Sequence, residues 1–261
     1  MHEREAAAHG WLCRYELLDL DRIPAGAAAL PSLIDRAERD GFAGLNITHP
    51  CKEAVLQFVT QLSDDARKLG AVNTIVFREG ARVGCNTDWW GFRESFSRGL
   101  GGVSLSRVVQ CGAGGAGAAT AYAALRLGAA RLDIVDVIHA RAEALAERMN
   151  AVFPGRAFAC VDPAAMLPTA DGVIHATPTG MAPHPGLPVD GDLIDRRLWV
   201  AEVVYFPLET ELLRVARQRG CRTLDGSGMA LWQAVEAFRL FTGAAPDPDR
   251  MRAFFDEAAN A

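Results

Sequence analysis

The feature that most constrains the fold is a glycine-rich turn at residues 112–117, with the sequence Gly-Ala-Gly-Gly-Ala-Gly. The turn satisfies the pattern G-x-G-x-x-G and lies between a strand-like apolar run, Val108–Cys111, and a helix-like run of small residues from Ala118. Such glycines permit the tight bend, the approach of a pyrophosphate to the backbone and close helix–strand packing. The pattern predicts a β-α unit whose helix N-terminus binds the phosphates of a dinucleotide.

Short apolar runs alternate with helix-length stretches along the rest of the chain, which is typical of a parallel sheet covered by helices. A strand is also predicted at residues 14–18, and Pro50 is predicted to open a helix. The remaining predicted strands are at residues 44–46, 72–77, 83–86, 108–111, 132–137, 172–176 and 199–205. Those at 72–77 and 83–86 are predicted to form a hairpin that turns at Glu79-Gly80. The alternation predicts an α/β fold.

We expect two lobes, an N-terminal α/β substrate domain and a Rossmann-type, doubly wound dinucleotide-binding domain. The predicted substrate domain comprises residues 1–88 and is joined by C-terminal helices within 227–261. The predicted dinucleotide-binding domain comprises residues 89–226.

Asp136 ends the strand that follows the glycine turn, about 20 residues beyond Gly117. An acidic side chain at this place hydrogen-bonds the ribose hydroxyls of the adenosine and repels a 2′-phosphate. The sequence therefore favours NAD over NADP. Arg141 leaves the alternative open, because a guanidinium near the ribose would pair with a 2′-phosphate.

Two further side chains are candidates for proton transfer, which the protein must supply when a nicotinamide carries the hydride. Lys52 lies in the first turn of the helix predicted after Pro50, where the positive end of the helix dipole favours a neutral amine. Asp88 either caps the next helix or takes part in the chemistry. Both belong to the predicted substrate domain.

The composition excludes several other classes of protein. The formal net charge is −5, which disfavours a surface for nucleic acid or for an anionic membrane. No apolar run is long enough to span a bilayer, and the first residues do not form a signal peptide. The six cysteines are scattered without a C-x-x-C pair, so we expect reduced thiols, no metal site and a cytoplasmic location.

Six motifs, in this order and spacing, resemble the signatures of the shikimate dehydrogenase family. Within that family the chain is most similar to the quinate/shikimate dehydrogenases that use NAD, through Asp136 and residues 204–213. The motifs are Asn46-x-Thr48-x-Pro50-x-Lys52, residues 70–74 (Gly-Ala-Val-Asn-Thr), Asn86-Thr87-Asp88, the glycine turn, residues 176–181 and residues 225–233.

The resemblance implies that Lys52 and Asp88 are the catalytic pair at the hydroxyl that is oxidised or reduced. It implies a substrate that is a small cyclic hydroxy acid, and either a monomer or a homodimer. The implied substrate-binding residues are Thr48, Asn73, Asp88, Tyr205 and Gln233. The implied cofactor-binding residues are Gly112, Ala113, Gly114, Gly115, Ala116, Gly117, Asp136, Arg141, Thr177, Val203 and Gly226.

The sequence departs from the family pattern at its start, where relatives carry a strand and a Ser-x-Ser or Ser-x-Thr pair that binds the substrate carboxylate. Either the natural protein begins upstream of Met1, or this is a shortened homologue with impaired substrate binding. His175 stands where relatives usually have Asn, and Glu202 where they usually have Asp.

The sequence is thus compatible with three functions. The leading expectation is interconversion of shikimate and 3-dehydroshikimate, or of quinate and 3-dehydroquinate, with NAD(H). The second is a biosynthetic shikimate dehydrogenase that uses NADP. The third is a non-catalytic dinucleotide-binding homologue that lacks the substrate clamp.

Overall fold

The computed structural model describes residues 1–259. Two compact units form: a terminal unit made of Met1–Thr87 with the chain from Leu231 onward, and a central unit, Asp88–Ala230. Each unit combines helices with its own sheet, which confirms the predicted α/β fold class. The last two residues of the predicted range 227–261 lie outside the described part of the chain.

The elements are numbered in chain order. The helices are α1 (His2–Ala8), α2 (Leu30–Arg39), α3 (Asp64–Leu69), α4 (Asp88–Gly99), α5 (Gly115–Arg126), α6 (His139–Val152), α7 (Pro163–Met166), α8 (Glu211–Gln218), α9 (Ser227–Thr242) and α10 (Pro248–Ala259). The strands are β1 (Gly44–Asn46), β2 (Gln61–Leu62), β3 (Thr74–Arg78), β4 (Ala81–Cys85), β5 (Arg107–Cys111), β6 (Arg131–Val135), β7 (Ala157–Cys160), β8 (Gly172–His175), β9 (Trp199–Glu202) and β10 (Arg222–Leu224).

The sheet of the terminal unit has four strands in the order β1-β3-β4-β2. Strands β3 and β4 form the predicted antiparallel hairpin, and its turn places Glu79 at φ 52° and Gly80 at φ 74°. Positive φ at both central residues suits the right-handed twist of the paired strands. Ile34 of α2 and Ile75 of β3 are fully buried in the same apolar core.

The strand predicted at residues 14–18 is wrong, because residues 11–19 adopt no regular structure. A strand is stable only when a neighbour accepts and donates its backbone hydrogen bonds. Among the described residues, none pairs with this segment as a strand. Leu12 and Leu17 are consequently exposed.

The helix predicted from Pro50 is also wrong. The chain turns through Lys52 and enters a short 3-10 helix at Ala54–Phe58. An α-helix would need the carbonyl of Lys52 for its own ladder. That carbonyl instead accepts a hydrogen bond from the Val72 N–H at 2.8 Å. Lys52 therefore lies in a loop tied to the sheet and not at the positive end of a helix dipole.

The central unit contains a six-stranded parallel sheet in the order β10-β9-β8-β5-β6-β7. This order reverses between β5 and β8, and ligands of such sheets bind beyond the carboxyl ends of the strands at that reversal. Strands β7 and β10 were not predicted, because both are short and carry little apolar periodicity. The remaining strands of this sheet agree with the sequence prediction.

Candidate active site

The glycine turn lies at the reversal, between β5 and α5. Gly112 has φ 106°, and a Cβ there would lie 2.4 Å from the Ala176 carbonyl oxygen. A Cβ at Gly117 would lie 2.3 Å from the Gly112 carbonyl oxygen. By contrast, a Cβ at Gly114 would meet no other atom within 4 Å. Two glycines therefore serve close packing, while Gly114 faces open space.

Helix α5 begins at this open position and has no side-chain cap. Its N-terminal N–H groups and positive dipole end suit an anion. The helix start at Gly114 therefore suits an anionic group, and the binding of a pyrophosphate at residues 112–117 stays a prediction.

Asp136 follows β6, next to the glycine turn. Its carboxylate accepts hydrogen bonds from the Ala113 N–H at 2.8 Å and from the Ile138 N–H at 2.9 Å. These contacts fix the carboxylate beside the turn. Arg141, the other predicted contact of the ribose, lies in the first turn of α6 and is exposed.

Three other predicted cofactor contacts lie near the carboxyl ends of β8, β9 and β10. Thr177 follows β8, and its methyl group would be 3.0 Å from a Cβ at Gly112. Val203 follows β9, and a Cβ at Gly226 would lie 2.4 Å from the Val203 carbonyl oxygen. The structure therefore brings Thr177 to the glycine turn and packs Gly226 on the loop that contains Val203.

A buried pair of polar side chains that was not predicted lies beneath these residues. His175 Nδ1 is 2.9 Å from both carboxylate oxygens of Glu202, and both side chains are almost fully buried. The sequence carried only a weak signal for this pair, namely that both residues depart from the family pattern. Burial, together with the charge of Glu202, raises the pKa of the nearby Cys111 thiol to about 12.

The terminal unit brings together several predicted substrate contacts. Asn73 is buried; its Oδ1 accepts the Thr87 N–H at 2.7 Å, and its Nδ2 donates to Thr87 Oγ1 at 2.9 Å. Thr87 Oγ1 in turn donates to Gln233 Oε1 at 3.5 Å. No role was predicted for Thr87, although it belongs to the motif at residues 86–88. We name Asn73, Thr87 and Gln233 the polar group of the terminal unit.

The Lys52 loop is attached to the same end of this sheet. Val72, which donates to the Lys52 carbonyl, immediately precedes Asn73. The Ile47 N–H donates to the Asn73 carbonyl at 2.7 Å, which ties the segment leading to Thr48 to the polar group. Thr48 is exposed and Lys52 is half-buried. Residues far apart in sequence thus share one end of the sheet.

Two predicted substrate contacts belong to the central unit. Asp88 is the first residue of α4 and is buried. Tyr205 follows β9 and is 55% exposed, so it does not belong to the core of the unit.

Within residues 1–259, no cluster of three or more His, Cys, Asp or Glu side chains is suitable for a metal ion. Within the same residues, every helix is too short or too polar to cross a membrane.

The sheet order, the uncapped helix and the open glycine turn define the central unit as a Rossmann-type dinucleotide-binding unit. Comparisons with known proteins identify the family. Residues 1–75 match the family model described as the shikimate dehydrogenase substrate binding domain. Residues 226–253 match the shikimate 5'-dehydrogenase C-terminal domain.

Curated relatives align over nearly the whole chain. A shikimate dehydrogenase (NADP(+)) of Streptomyces avermitilis is 55% identical over 99% of this chain and 90% of the relative. A quinate/shikimate dehydrogenase (NAD(+)) of Corynebacterium efficiens is 46% identical over 98% of this chain and 91% of the relative.

A solved structure agrees with these relatives. The quinate dehydrogenase of Corynebacterium glutamicum in complex with NAD superimposes with a TM-score of 0.90 at 45% identity, over 98% of this chain and 92% of that one. The chain therefore belongs to the shikimate dehydrogenase family. This confirms the predicted resemblance and the prediction of an oxidoreductase of the NAD(P)-dependent dehydrogenase class.

Proposed function

We propose that the protein interconverts shikimate and 3-dehydroshikimate, or quinate and 3-dehydroquinate, with NAD(H), and that Lys52 and Asp88 are its catalytic pair. The bound nicotinamide supplies the hydride chemistry. The protein must then move one proton at the substrate oxygen and hold the reacting hydroxyl in place. In oxidation, the hydroxyl proton passes to the Lys52 amine as the ring carbon loses its hydride and becomes a carbonyl. In reduction, the Lys52 ammonium returns the proton.

The position of Lys52 supports this role. The chain has only two lysines, Lys52 and Lys68, among its 27 lysine and arginine residues. Almost all of its cationic side chains are therefore arginines, and Lys52 is an exception. A hydrogen bond from the Val72 N–H to the Lys52 carbonyl holds it in a loop. Lysine suits proton transfer because its amine changes protonation near neutral pH when its surroundings favour the neutral form, whereas arginine stays charged.

The polar group of the terminal unit suits a substrate with several ring hydroxyls. Asn73 and Gln233 present amide donors and acceptors, and Thr87 fixes both. An unpaired buried donor or acceptor costs about 1–3 kcal/mol, so such a site rejects a ring that lacks the matching hydroxyls. Thr48 and Tyr205 would contribute further hydroxyls.

The residues around the glycine turn support NAD as the preferred nucleotide. The anchored carboxylate of Asp136 suits the two free hydroxyls of the adenosine ribose and repels a 2′-phosphate. Val137 and Ile138, which follow it, are apolar and exposed, so neither provides a positive charge for that phosphate.

NADP is the second candidate, and two observations favour it. The relative from Streptomyces avermitilis is named for NADP(+), and Arg141 is an exposed cation in the first turn of α6, the helix that follows Asp136. The second candidate is thus a biosynthetic shikimate dehydrogenase that uses NADP in place of NAD.

The observation that carries the proposal is the attachment of the Lys52 loop and the polar group to one end of the sheet in the terminal unit. The test is a matrix of initial rates with shikimate and quinate against NAD and NADP, followed by the absorbance of the reduced nucleotide. Turnover with a clear preference for NAD supports the proposal. A preference for NADP overturns the assignment of the nucleotide. Nucleotide binding without turnover of either acid favours the non-catalytic homologue.

A further inference from the structure

The buried pair His175–Glu202 lies at equivalent positions of two neighbouring strands. His175 ends β8 and Glu202 ends β9, and the two residues are register partners in the parallel sheet. His175 is 1% exposed and Glu202 is 1% exposed. A buried carboxylate is costly unless every oxygen is hydrogen-bonded. The pair therefore depends on hydrogen bonds from the residues that surround it.

Glu202 is well supplied with donors. Its Oε1 accepts the N–H groups of Val203 and Val204, both at 2.9 Å, and its Oε2 accepts the Thr210 hydroxyl at 2.9 Å. An ionised carboxylate only accepts hydrogen bonds, so His175 Nδ1, at 2.9 Å from both oxygens, carries a proton. Glu202 thus fixes the tautomer of the histidine.

The other ring nitrogen faces Thr177. His175 Nε2 is 2.5 Å from Thr177 Oγ1. In a neutral imidazole with its proton on Nδ1, Nε2 is an acceptor, so the Thr177 hydroxyl donates to it. Thr177 Oγ1 also accepts the Thr179 N–H at 3.2 Å. The hydroxyl proton is then in use, and one lone pair of the oxygen is left for a ligand.

Both ends of this chain of hydrogen bonds contact predicted cofactor residues. The Thr177 methyl group packs on Gly112 of the glycine turn. Glu202 holds the N–H groups of Val203 and Val204, whose carbonyls pack on Gly226 at 2.4 and 2.5 Å from a Cβ there. One buried pair therefore connects the turn to the loop after β9.

We propose that His175 is a positioning residue for the nucleotide: it holds the Thr177 hydroxyl as a hydrogen-bond acceptor toward a donor group of the bound dinucleotide. Suitable donors are a ribose hydroxyl or the carboxamide N–H of the nicotinamide. Glu202 anchors the histidine and, in the same step, the backbone of Val203 and Val204. This inference rests on the cofactor site of the proposed function.

The test is a double-mutant cycle on nucleotide binding, measured by calorimetry without substrate. His175→Asn keeps an N–H donor near the position of Nδ1, toward Glu202, but does not reach Thr177. Thr177→Val removes the hydroxyl and keeps the shape of the side chain. Each change should raise the Kd of NAD about five- to tenfold, the usual effect of one hydrogen bond. Thr169→Val is the matched control: it removes an exposed hydroxyl of the same unit, one that accepts a hydrogen bond from Arg107, and should bind NAD as the wild type does.

The combined variant decides the mechanism. If His175 acts through Thr177, the double variant binds NAD as weakly as Thr177→Val alone, within about twofold. The proposal would be overturned if the two substitutions multiplied their effects on the Kd of NAD, or if His175→Asn bound NAD with wild-type affinity. Thermal unfolding of each variant is recorded alongside, since a purely structural role lowers stability and leaves the cycle additive.

A second measurement needs no variant. The nitrogen chemical shifts of the histidine rings in the wild type report the tautomer directly, and we expect His175 to be neutral with its proton on Nδ1. A proton on Nε2 would contradict the proposal. Failure of the proposed function would look different. A protein that binds NAD and shows a non-additive cycle, but turns over neither acid, would contradict the dehydrogenase assignment and leave the role of His175 standing.

Discussion

In the central unit, the candidate cofactor site is formed mainly by backbone. Its N–H groups come from one short segment, residues 112–117, and its shape comes from glycines that lack a Cβ. In the terminal unit, the candidate substrate site is formed by side chains from separate segments: the Lys52 loop, Asn73, Thr87 and Gln233. A backbone site accepts any nucleotide pyrophosphate, whereas a group of fixed side chains distinguishes one ring from another.

This difference predicts how variants divide. A change of a side chain in the terminal unit should affect chemistry or substrate affinity and leave nucleotide binding alone. A change in the glycine turn should affect nucleotide binding or stability and leave the polar group intact.

The largest expected effect is that of Lys52→Ala. Loss of a general acid or base lowers rates by about 10²–10⁴-fold, so we expect kcat to fall by about a thousandfold. The Kd of NAD should stay within about twofold. Lys68→Ala, which removes the other lysine, an exposed residue of α3, is the matched control and should retain full turnover. Steady-state rates and calorimetry measure both, and normal kcat in Lys52→Ala removes this residue from the mechanism.

The next effect compares two glycines of the turn. Gly114→Ala places a methyl group in open space at φ −78°, so stability should be unchanged while the Kd of NAD rises tenfold or more. Gly117→Ala forces a methyl group against the Gly112 carbonyl and should cost about 1–3 kcal/mol of unfolding free energy. Thermal unfolding and nucleotide titration separate the two. Equal NAD affinity in Gly114→Ala and the wild type would contradict the cofactor site.

A smaller effect is expected for Asp136→Asn, which removes the charge beside the ribose. The ratio of kcat/KM for NADP to that for NAD should rise about tenfold, because the repulsion of the 2′-phosphate is lost. Asp162→Asn is a suitable control, since Asp162 also accepts a backbone N–H, that of Ala164, in an exposed loop. An unchanged ratio in Asp136→Asn would show that this carboxylate does not select the nucleotide.

The smallest effect concerns stability toward acid. Each unit has a buried carboxylate whose pKa is lowered in the folded protein, Asp133 in the central unit and Glu5 in the terminal unit. Burial raises the pKa of Asp133, but the hydrogen bonds and charges of Arg131 and Arg107 outweigh it and hold that pKa below its ordinary value. Burial likewise raises the pKa of Glu5, and contacts including the hydrogen bond from Arg250 lower it overall. A lowered folded-state pKa stabilises the fold above about pH 4, and this stabilisation is lost as the pH falls through the folded pKa.

Asp133→Asn and Glu5→Gln should therefore each lower Tm by a few degrees at neutral pH. Each should also flatten the fall of Tm between about pH 5 and pH 3. Thermal scans across this range measure the effect. A variant that loses stability equally at all pH values would contradict the stabilising pairing of that carboxylate with arginine.

The sequence predicted the central unit more completely than the terminal unit, for a physical reason. The glycine turn and its flanking strand and helix form one local unit, so a nucleotide site at residues 112–117 and Asp136 could be proposed from spacing alone. The polar group depends on side-chain contacts among the ends of β3 and β4 and helix α9. No role was predicted for Thr87 because its partners lie far away in sequence.

The two wrong predictions have the same cause. Residues 14–18 carry strand-like residues without a pairing partner among the described strands. The Lys52 loop has a helix-like start, but Val72 takes the carbonyl that a helix would need. In both cases a long-range hydrogen bond, or its absence, decided the local structure. His175 and Glu202 were noticed as departures, and only the register of β8 and β9 shows that they pair.

The most direct test follows the hydrogen itself. Shikimate or quinate that carries deuterium on the ring carbon of the reacting hydroxyl is incubated with the protein and NAD, and the reduced nucleotide is analysed by mass spectrometry. The account predicts that the reduced nucleotide contains the deuterium and that Lys52→Ala forms it far more slowly. Reduced nucleotide without deuterium, or none from either acid, would contradict the account.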